Sequence, residues 1–320
     1  MKKDKSIFIT GACGFIGFHL SNLLLKKGFK IFSIDNLNDY YSISLKKKRL
    51  KILKKNKNFN FKNISLNNNK KLTSYIKHSK SNCIIHLAAQ PGVRYSFINP
   101  NIYLKYNVEG FLEILKSMEK LNLKNLIFAS SSSVYGDAEK FPTQEPHKLK
   151  PLNFYAATKV LNEEMAKIYH KNSNINSFGL RFFTSYGSLG RPDMLIDKTI
   201  NAIKKNQSIN LYNQGNHSRD FTHVSNVVEI IYELTKKIEK FKGYDFFNIC
   251  SGKKTSIRYL LKTIEKKLNQ KIKFKKIKKQ KGDMLQTHGS NKKILNFLNK
   301  KINFLNIEEG LNETLFNKHE

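Results

Sequence analysis

The sequence predicts an α/β fold, a doubly wound parallel sheet with a smaller C-terminal α/β domain. Short apolar segments alternate with segments of helical periodicity over the first 180 residues. That order produces parallel strands with helices on both faces of the sheet. A glycine-rich turn separates the first apolar segment from the first helical one, and after residue 181 the alternation loosens into loops and shorter elements.

The individual elements follow from apolar runs for strands and from periodicity near 3.6 for helices. The predicted strands are "SIFIT", "FKIFSID", "NFNFKNIS", "SNCIIHLAA", "LKNLIFASS" and "INSFGLRFF". The predicted helices are "FHLSNLLLKKG", "NPNIYLKYNVEGFLEILKSMEKLN" with a proline near its start, and residues 155–170.

The chain of 320 residues is long enough for one large domain or two modest ones. Residues 1–180 are predicted to form the domain of the main sheet, and residues 181–320 the smaller one. Two later segments, "SNVVEIIYELTKKI" and "DFFNIC", still have the pattern of a helix and a strand of the main sheet. Residues 218–250 are therefore expected to return to the first domain, so that the two domains are interleaved.

The formal net charge of +34 suggests an anionic partner such as nucleic acid. Only six of the 58 basic residues are arginines, however, and lysine is spread along the whole chain. The two densest runs, Lys46 to Arg49 and Lys273 to Lys281, come without a nucleic-acid-binding motif. We interpret the lysines as filling exposed positions, and we expect no nucleic-acid partner.

The three cysteines are few and odd in number, and each lies in or beside an apolar stretch. They predict reduced core residues of a cytoplasmic protein and neither a disulfide nor a metal framework. No stretch of the sequence is apolar for 18 residues, so we expect no membrane span.

The glycine-rich turn "GACGFIG" predicts a dinucleotide site. Gly11, Gly14 and Gly17 lie between a strand and a helix, where glycine permits a tight turn and close approach of the backbone to a pyrophosphate. Asp35 follows 24 residues after Gly11, at the end of the second strand. A carboxylate there hydrogen-bonds a ribose 2′-hydroxyl and repels a 2′-phosphate, which favours NAD over NADP. The lysines at 46–48 argue the other way, and a nucleotide-free fold of this class is the alternative.

A tyrosine and a lysine four residues apart, Tyr155 and Lys159 in "YAATK", lie on one face of the predicted third helix. By itself this spacing is far more typical of an ordinary amphipathic helix than of a catalytic pair. Four serines in "FASSSSVYG" precede it, at the carboxyl end of the fifth strand, where parallel sheets bind ligands.

Together these motifs resemble the extended short-chain dehydrogenase/reductase family, the nucleotide-sugar epimerases and dehydratases. The resemblance runs over nearly the whole chain, through "GACGFIG", "HLAAQPGVRYS", "SSSSVYG", "YAATK", "RDFTHV" and "KGDM". It implies a Rossmann fold, NAD as cofactor, a UDP-sugar as substrate and a homodimer formed through the helices at 100–120 and 154–170.

The resemblance also implies roles for individual residues. Tyr155 would remove a proton from a sugar hydroxyl. Lys159 and the nicotinamide charge would lower the pKa of Tyr155 for this purpose. Ser131 would bind the same hydroxyl, with Ser132 and Ser133 as alternatives, and Lys159 would also hold the nicotinamide ribose. The implied cofactor residues are Gly11, Gly14, Phe15, Ile16, Gly17, Asp35, Asn36, Ile64, Leu87, Ala88, Ala89, Asn107, Tyr155 and Lys159. The implied substrate residues are Arg94, Ser132, Ser133, Thr184, Arg191, Arg219 and Asp283.

The reaction is expected to be a 4-epimerisation. Related dehydratases carry an Asp-Glu pair, and related decarboxylases a glutamate, where this chain has Ser132 and Ser133. The segment "GSLGRPDMLI" resembles that of UDP-glucuronate 4-epimerases, and Arg191 within it would fix the sugar carboxylate together with Thr184. Arg191 could instead face solvent or the UDP phosphates, and Asn107 could be an ordinary helix-surface amide.

Two other functions remain open at this point. One is epimerisation of a neutral UDP-hexose or UDP-N-acetylhexosamine, for which the Arg191 segment is not needed. The other is a non-catalytic module that senses NAD or binds nucleic acid, against which the set of Ser131, Tyr155 and Lys159 argues.

Overall fold

The strands of the protein form from the short apolar segments of the sequence. The computed structural model describes residues 5–278 and 284–316. The strands are β1 (Ser6–Thr10), β2 (Lys30–Asp35), β3 (Phe59–Asn63), β4 (Cys83–His86), β5 (Asn125–Ser131), β6 (Asn176–Phe182), β7 (Thr184–Tyr186), β8 (Ser208–Tyr212), β9 (Ser218–His223), β10 (Tyr244–Ile249), β11 (Lys254–Ser256) and β12 (Lys273–Ile277).

The helices connect these strands. They are α1 (Phe15–Lys26), α2 (Ile43–Leu53), α3 (Asn69–Ser79), α4 (Tyr95–Ile98), α5 (Pro100–Tyr103), α6 (Gly110–Lys120), α7 (Phe154–Ser173), α8 (Leu195–Lys204), α9 (Val224–Lys237), α10 (Ile257–Leu268), α11 (Lys292–Leu298) and α12 (Ile307–Phe316). None of them is both long and apolar enough to cross a lipid bilayer, over the residues that the structure describes.

The main sheet has seven parallel strands in the order β10-β6-β5-β4-β1-β2-β3. Helices α1, α9 and α11 bury their apolar sides on one face, and α3 and α6 bury theirs on the other. The order reverses between β1 and β4, the kind of position at which open parallel sheets bind ligands. The predicted doubly wound α/β class is therefore confirmed.

A smaller part of the structure is built from β7, β9 and β11 in one sheet and β8 and β12 in another. Its core is formed mainly by apolar residues of α8, α10 and α12. Strand β9 belongs to this part, whereas α9 and β10, which follow it in the chain, pack with the main sheet. The proposed domain division at residue 180 stays a prediction.

Two local features differ from the prediction. The first helix begins at Phe15 and not at Phe18, so that Gly17 lies inside it; a Cβ at Gly17 would be only 2.1 Å from the Gly11 carbonyl oxygen. The long helix predicted over residues 99–122 contains a π-helical segment, Leu104–Glu109, between α5 and α6. Such bulges occur frequently at functional sites.

The basic run at 46–49 was expected to be exposed, and for two of its residues this is wrong. Lys46 and Arg49 are buried, with Arg49 fully inaccessible, whereas Lys47 and Lys48 are exposed. The residues lie on α2, where positions three apart share a face. The cysteines, in contrast, are free and buried as predicted.

Candidate active site

A cavity of about 420 Å³ opens at the carboxyl edge of the main sheet. Its walls come from the turn after β1, the end of β2, the loop after β4, the end of β5, the start of α7 and the loop after β6. A second cavity of about 730 Å³ adjoins it and shares Thr184, Arg191 and Arg219 with it. The two cavities therefore form one continuous cleft.

The turn after β1 is built for close approach of a ligand. Gly11 has a φ of +78°, and a Cβ there would lie 2.7 Å from the backbone nitrogen of Ala88. Helix α1 begins after Gly14 without a side-chain cap and without an acidic residue in its first turn. Its first N–H groups and its positive dipole end thus face the cavity, which suits a phosphate or pyrophosphate.

Asp35 lies on the second side of this turn. One of its oxygens accepts a hydrogen bond from the Cys13 nitrogen at 3.1 Å, and the other accepts one from the Leu37 nitrogen at 2.9 Å. Burial raises the pKa of Asp35, against these two bonds and the charges of Lys46 and Arg49. Lys46 donates to the backbone and the side chain of Asn38, at 2.6 and 2.5 Å.

Most of the other predicted cofactor residues line the same cavity. They are Phe15, Ile16, Asn36, Ile64, Leu87, Ala88 and Ala89. Asn107 is different: it is buried in the π-helical segment and exchanges hydrogen bonds with the backbone of Gln90, at 2.7 and 3.1 Å. It also donates to Thr158 at 3.2 Å, and its carbonyl accepts from Asn162 at 2.8 Å. Asn107 therefore braces the loop after β4 against α7.

Ser131, Tyr155 and Lys159 meet in the cavity. The Ser131 hydroxyl is close enough to Tyr155 to lower the pKa of the tyrosine, and the Ser131 oxygen accepts from the Ser133 hydroxyl at 2.8 Å. The Lys159 ammonium donates to the Ala129 carbonyl at 2.9 Å and lies 5.9 Å from the centroid of the Tyr155 ring. Helix α7 carries both residues and is capped by Asn153, which accepts from the Ala156 nitrogen at 2.9 Å.

Burial dominates the protonation of this group. It raises the pKa of Tyr155, and the two opposing influences are the hydrogen bond from Ser131 and the charge of Arg191. Burial also lowers the pKa of the Lys159 ammonium to about 8, against the charge of Glu163. In the protein on its own the pKa of Tyr155 thus moves opposite to the expected direction, because desolvation outweighs the effects of Ser131 and of the Arg191 charge.

A buried ion pair behind Lys159 was not found from the sequence. Glu163 and Arg181 form a bidentate pair with distances of 2.9 and 2.7 Å. The Ser130 hydroxyl donates to Glu163 at 2.6 Å, and Arg181 also donates to Tyr135 at 2.9 Å. One signal was available, because Glu163 lies four residues after Lys159 and therefore on the same face of the helix.

Arg191 lies on the wall between the two cavities. Its guanidinium binds Asp193 through two hydrogen bonds, 3.0 Å from Nε and 2.5 Å from Nη2. The Tyr40 hydroxyl donates to the same carboxylate at 3.2 Å. Thr184, Ser132 and Ser133 line the first cavity with it.

The remaining predicted substrate residues lie farther along the cleft. Arg219 lines both cavities and donates to the carbonyls of Ser218 and Met284, each at 2.8 Å. Arg94 lines only the second cavity, with its guanidinium 4.0 Å from the centroid of the Tyr212 ring. Asp283 lies outside the described residues.

Comparison with known proteins places this geometry in context. The model of the NAD dependent epimerase/dehydratase family matches residues 7–250. A UDP-glucuronate 4-epimerase of Thermodesulfobacterium geofontis is 35% identical over 309 residues, 96% of this chain and 94% of that protein.

Solved structures of nucleotide-sugar epimerases are also similar to this chain. The UDP-glucuronic acid 4-epimerase of Bacillus cereus, in complex with UDP-glucuronic acid and NAD, has a TM-score of 0.90 and 28% identity over 97% of both chains. A UDP-N-acetylglucosamine 4-epimerase of Methanobrevibacter ruminantium, in complex with UDP-N-acetylmuramic acid, has a TM-score of 0.86 and 27% identity over 98% of this chain and 97% of that one.

Proposed function

The chain belongs to the NAD dependent epimerase/dehydratase family, and from this premise we propose that it interconverts UDP-glucuronate and UDP-galacturonate. Membership of the family confirms the resemblance found in the sequence. The observation that carries the choice of sugar is Arg191, a partly buried guanidinium on the wall of the cavity that contains Tyr155 and Ser131, with its charge acting on the pKa of Tyr155.

The residues of the first cavity fit NAD. The uncapped start of α1 and the glycine turn suit the pyrophosphate, and Asp35 suits an adenosine ribose with a free 2′-hydroxyl. Lys46, the argument for a 2′-phosphate, is hydrogen-bonded to Asn38. NAD held by these residues would supply reversible hydride transfer at C4 of the sugar.

Tyr155 is the proposed acid and base. The Ser131 hydroxyl acts on Tyr155 as a donor that favours the tyrosinate, and we assign it the further role of binding the sugar 4-hydroxyl. A tyrosine near its ordinary pKa of about 10 is a poor base at neutral pH, and burial raises that pKa further. Stabilisation of the tyrosinate therefore depends on positive charge close to it, from Lys159, from Arg191 and from the cofactor.

Arg191 is the proposed partner of the sugar carboxylate. Oxidation at C4 turns a uronic acid into a β-keto acid, which can lose carbon dioxide when the carboxylate bond stands perpendicular to the ketone plane. A guanidinium fork holds a carboxylate in one plane. Thr184, Ser132 and Ser133 line the same cavity and supply further hydroxyls. With serines at 132 and 133 the cavity offers no acid there to expel water, which favours epimerisation over dehydration.

The product assay tests this proposal directly. Purified protein is incubated with UDP-glucuronate without added reductant, the nucleotide sugars are separated, and carbon dioxide is trapped. We expect UDP-galacturonate to form and no carbon dioxide to be released. Unchanged UDP-glucuronate, with turnover of UDP-glucose or UDP-N-acetylglucosamine, would contradict the assignment of the sugar.

The second candidate is a 4-epimerase of a neutral or N-acetylated UDP-sugar, favoured by the similarity to the Methanobrevibacter ruminantium enzyme. The third is a non-catalytic module that binds NAD or nucleic acid. The Tyr155→Phe variant separates the third from the other two, because an epimerase loses nearly all turnover while a binding module keeps its function.

We further propose a cytoplasmic homodimer that provides an activated uronic acid for surface polysaccharide. Support for the dimer comes from apolar side chains on the outer surfaces of α4 and α7, among which Ile98 is 77% exposed. Support for the role comes from the proposed product, since a UDP-linked sugar is the substrate form for glycosyl transfer.

A further inference from the structure

The loop that carries Arg191 is held by hydrogen bonds from two helices that flank the glycine-rich turn, α1 and α2. This loop, residues 187–193, is named the clamp loop. His19 of α1 hydrogen-bonds the Ser188 carbonyl at 2.9 Å. Arg49 of α2 donates to the Leu189 carbonyl at 2.6 and 3.2 Å and to the Gly190 carbonyl at 3.0 Å.

Arg49 simultaneously holds the glycine-rich turn. Its Nη1 donates to the Cys13 carbonyl at 2.9 Å and to the Tyr41 hydroxyl at 2.7 Å. The nitrogen of the same residue, Cys13, donates to Asp35. One continuous set of hydrogen bonds therefore leads from the Asp35 carboxylate through the Cys13 residue and the Arg49 guanidinium to the residues directly before Arg191.

Burying the Arg49 guanidinium costs free energy, because a cation loses its hydration when it is buried. The side chain is fully buried, and across the described parts of the chain it forms no ion pair with a carboxylate. A buried cation without a direct counter-ion is retained only where it is fully hydrogen-bonded. The clamp loop also contains Leu189 with a φ of +49°, a backbone conformation that is strained for leucine and that two Arg49 donors hold in place.

We propose that Arg49 is a positioning residue that couples the glycine-rich turn to the clamp loop, so that NAD binding prepares Arg191 for a uronate carboxylate. This inference rests on the proposed function. A ligand that orders the glycine turn around Cys13 orders one end of the Arg49 network. The other end then has fewer alternative positions, and the carboxylate meets a fixed guanidinium.

The test measures binding, with turnover blocked by Tyr155→Phe in every protein compared. The affinities of UDP-glucuronate and UDP-glucose are determined by calorimetry with NAD-loaded and NAD-stripped protein. We expect NAD to strengthen UDP-glucuronate binding by a factor about tenfold greater than for UDP-glucose, within the usual range of coupling between sites. By reciprocity, UDP-glucuronate should strengthen NAD binding to the same extent.

Two variants remove the coupling at its centre. Arg49→Lys keeps the charge but lacks the planar guanidinium group. In this variant NAD should strengthen the binding of UDP-glucuronate and of UDP-glucose by the same factor. Tyr41→Phe removes one hydrogen-bond partner of Arg49 and keeps the aromatic ring. It should make the NAD effect on UDP-glucuronate binding more similar to that on UDP-glucose binding, and it serves as the test if Arg49→Lys does not fold. Lys48→Met, an exposed neighbour on the same helix, is the control and should behave as the parent.

The outcomes are distinct. If NAD still strengthens UDP-glucuronate binding more than UDP-glucose binding in both variants, the proposal is overturned. It is also overturned if the variants bind all ligands equally more weakly and have a lower melting temperature, because a purely structural residue behaves in that way. Failure of the proposed function is read separately, from absence of UDP-galacturonate with the wild-type protein. A wild-type protein that epimerises UDP-glucuronate but shows no greater NAD effect on its binding would refute the coupling alone.

Discussion

The guanidinium of Arg191 already holds a carboxylate, that of Asp193 two residues later. The two hydrogen bonds, 3.0 Å to Oδ1 and 2.5 Å to Oδ2, have the bidentate geometry that a uronate would use. The Arg191 charge, together with hydrogen bonds from Arg191 and Tyr40, keeps the pKa of Asp193 below its ordinary value despite burial. Asp193 therefore either orients Arg191 for the sugar or competes with the sugar for the same edge.

Removal of Arg191 should discriminate between sugars. For Arg191→Ala we expect kcat/KM for UDP-glucuronate to fall by about a hundredfold or more, since a charged hydrogen-bonded contact is lost. Turnover of UDP-glucose, if the wild type shows any, should fall by a smaller factor, namely the part of the loss that comes from removing the Arg191 charge near Tyr155. Arg258→Ala, on the exposed surface, is the matched control. An equal loss with both sugars would mean that Arg191 does not contact the carboxylate.

Neutralising Asp193 should favour the uronate. In Asp193→Asn the competing charge disappears while one oxygen still accepts from Arg191, so we expect KM for UDP-glucuronate to fall by about twofold to fivefold, the size of one weak charge interaction. Binding of UDP-glucose should not change. Steady-state kinetics with both sugars provide the measurement, and a rise of KM for UDP-glucuronate would show that Asp193 orients Arg191 instead of competing for it.

Lys159 is expected to lower the stability of the folded protein at neutral pH. Burial lowers its pKa from 10.5 to about 8 in the folded state. Below pH 8 the folded protein must therefore carry a buried ammonium, whereas between pH 8 and 10.5 the unfolded chain binds the additional proton and stability rises with pH. The cost at neutral pH is about 3 kcal/mol, partly offset by the hydrogen bond to Ala129.

The Lys159→Met variant tests this sign. It should be inactive, yet more stable than the wild type at pH 7 by about 1 to 3 kcal/mol in urea unfolding. The difference should shrink as the pH rises from 8 to 10.5. Lys167→Met, on the same helix with a more exposed side chain, should show no such pH dependence. A gain in stability that does not vary with pH would point to better packing of methionine and not to relief of the charge.

Several of these residues were accessible from the sequence, and others were not, for physical reasons. Strand β1 has the five residues that its apolar run predicts, and α7 carries Tyr155 and Lys159 as their spacing indicates. Local pattern was sufficient there because every residue of the run is buried. The glycines were found because only glycine fits such a turn.

Arg49 shows what local pattern misses. It stands in a run of four basic residues, and charge by itself predicts exposure. Its burial depends on carbonyls that lie about 140 residues later in the chain, in the clamp loop. The π-helical segment around Asn107 is hidden for a similar reason, since its hydrogen bonds to Gln90 and Asn162 arise only when the loop after β4 and α7 pack together.

The Glu163–Arg181 pair should be strongly coupled in stability. Both side chains are almost completely buried, and removal of one partner leaves an uncompensated charge. Glu163→Gln and Arg181→Met should each cost about 3 to 5 kcal/mol, and the double variant considerably less than the sum. A double-mutant cycle by urea unfolding gives the coupling. Additive losses would show that the two charges are compensated by other groups.

The exposed apolar side chains of α7 predict a homodimer. Phe154, Leu161 and Ile168 follow one another at seven-residue intervals, so they form one stripe along the helix, and they are 48%, 43% and 53% exposed. Ile98 on α4 is 77% exposed. Apolar side chains in such a row are typical of an interface and are rare on the surface of a monomer.

Light scattering on the eluting protein should therefore give twice the 37.2 kDa mass of one chain. The double variant Leu161→Glu and Ile168→Glu places two like charges in each copy of the stripe, and should give monomers that still bind NAD, because neither residue lines the cleft. Phe316→Glu, at an exposed apolar residue of α12, should remain dimeric. A wild-type protein that elutes only as a monomer at micromolar concentration would refute the interface, and a dimer that survives both charges would place it on another surface.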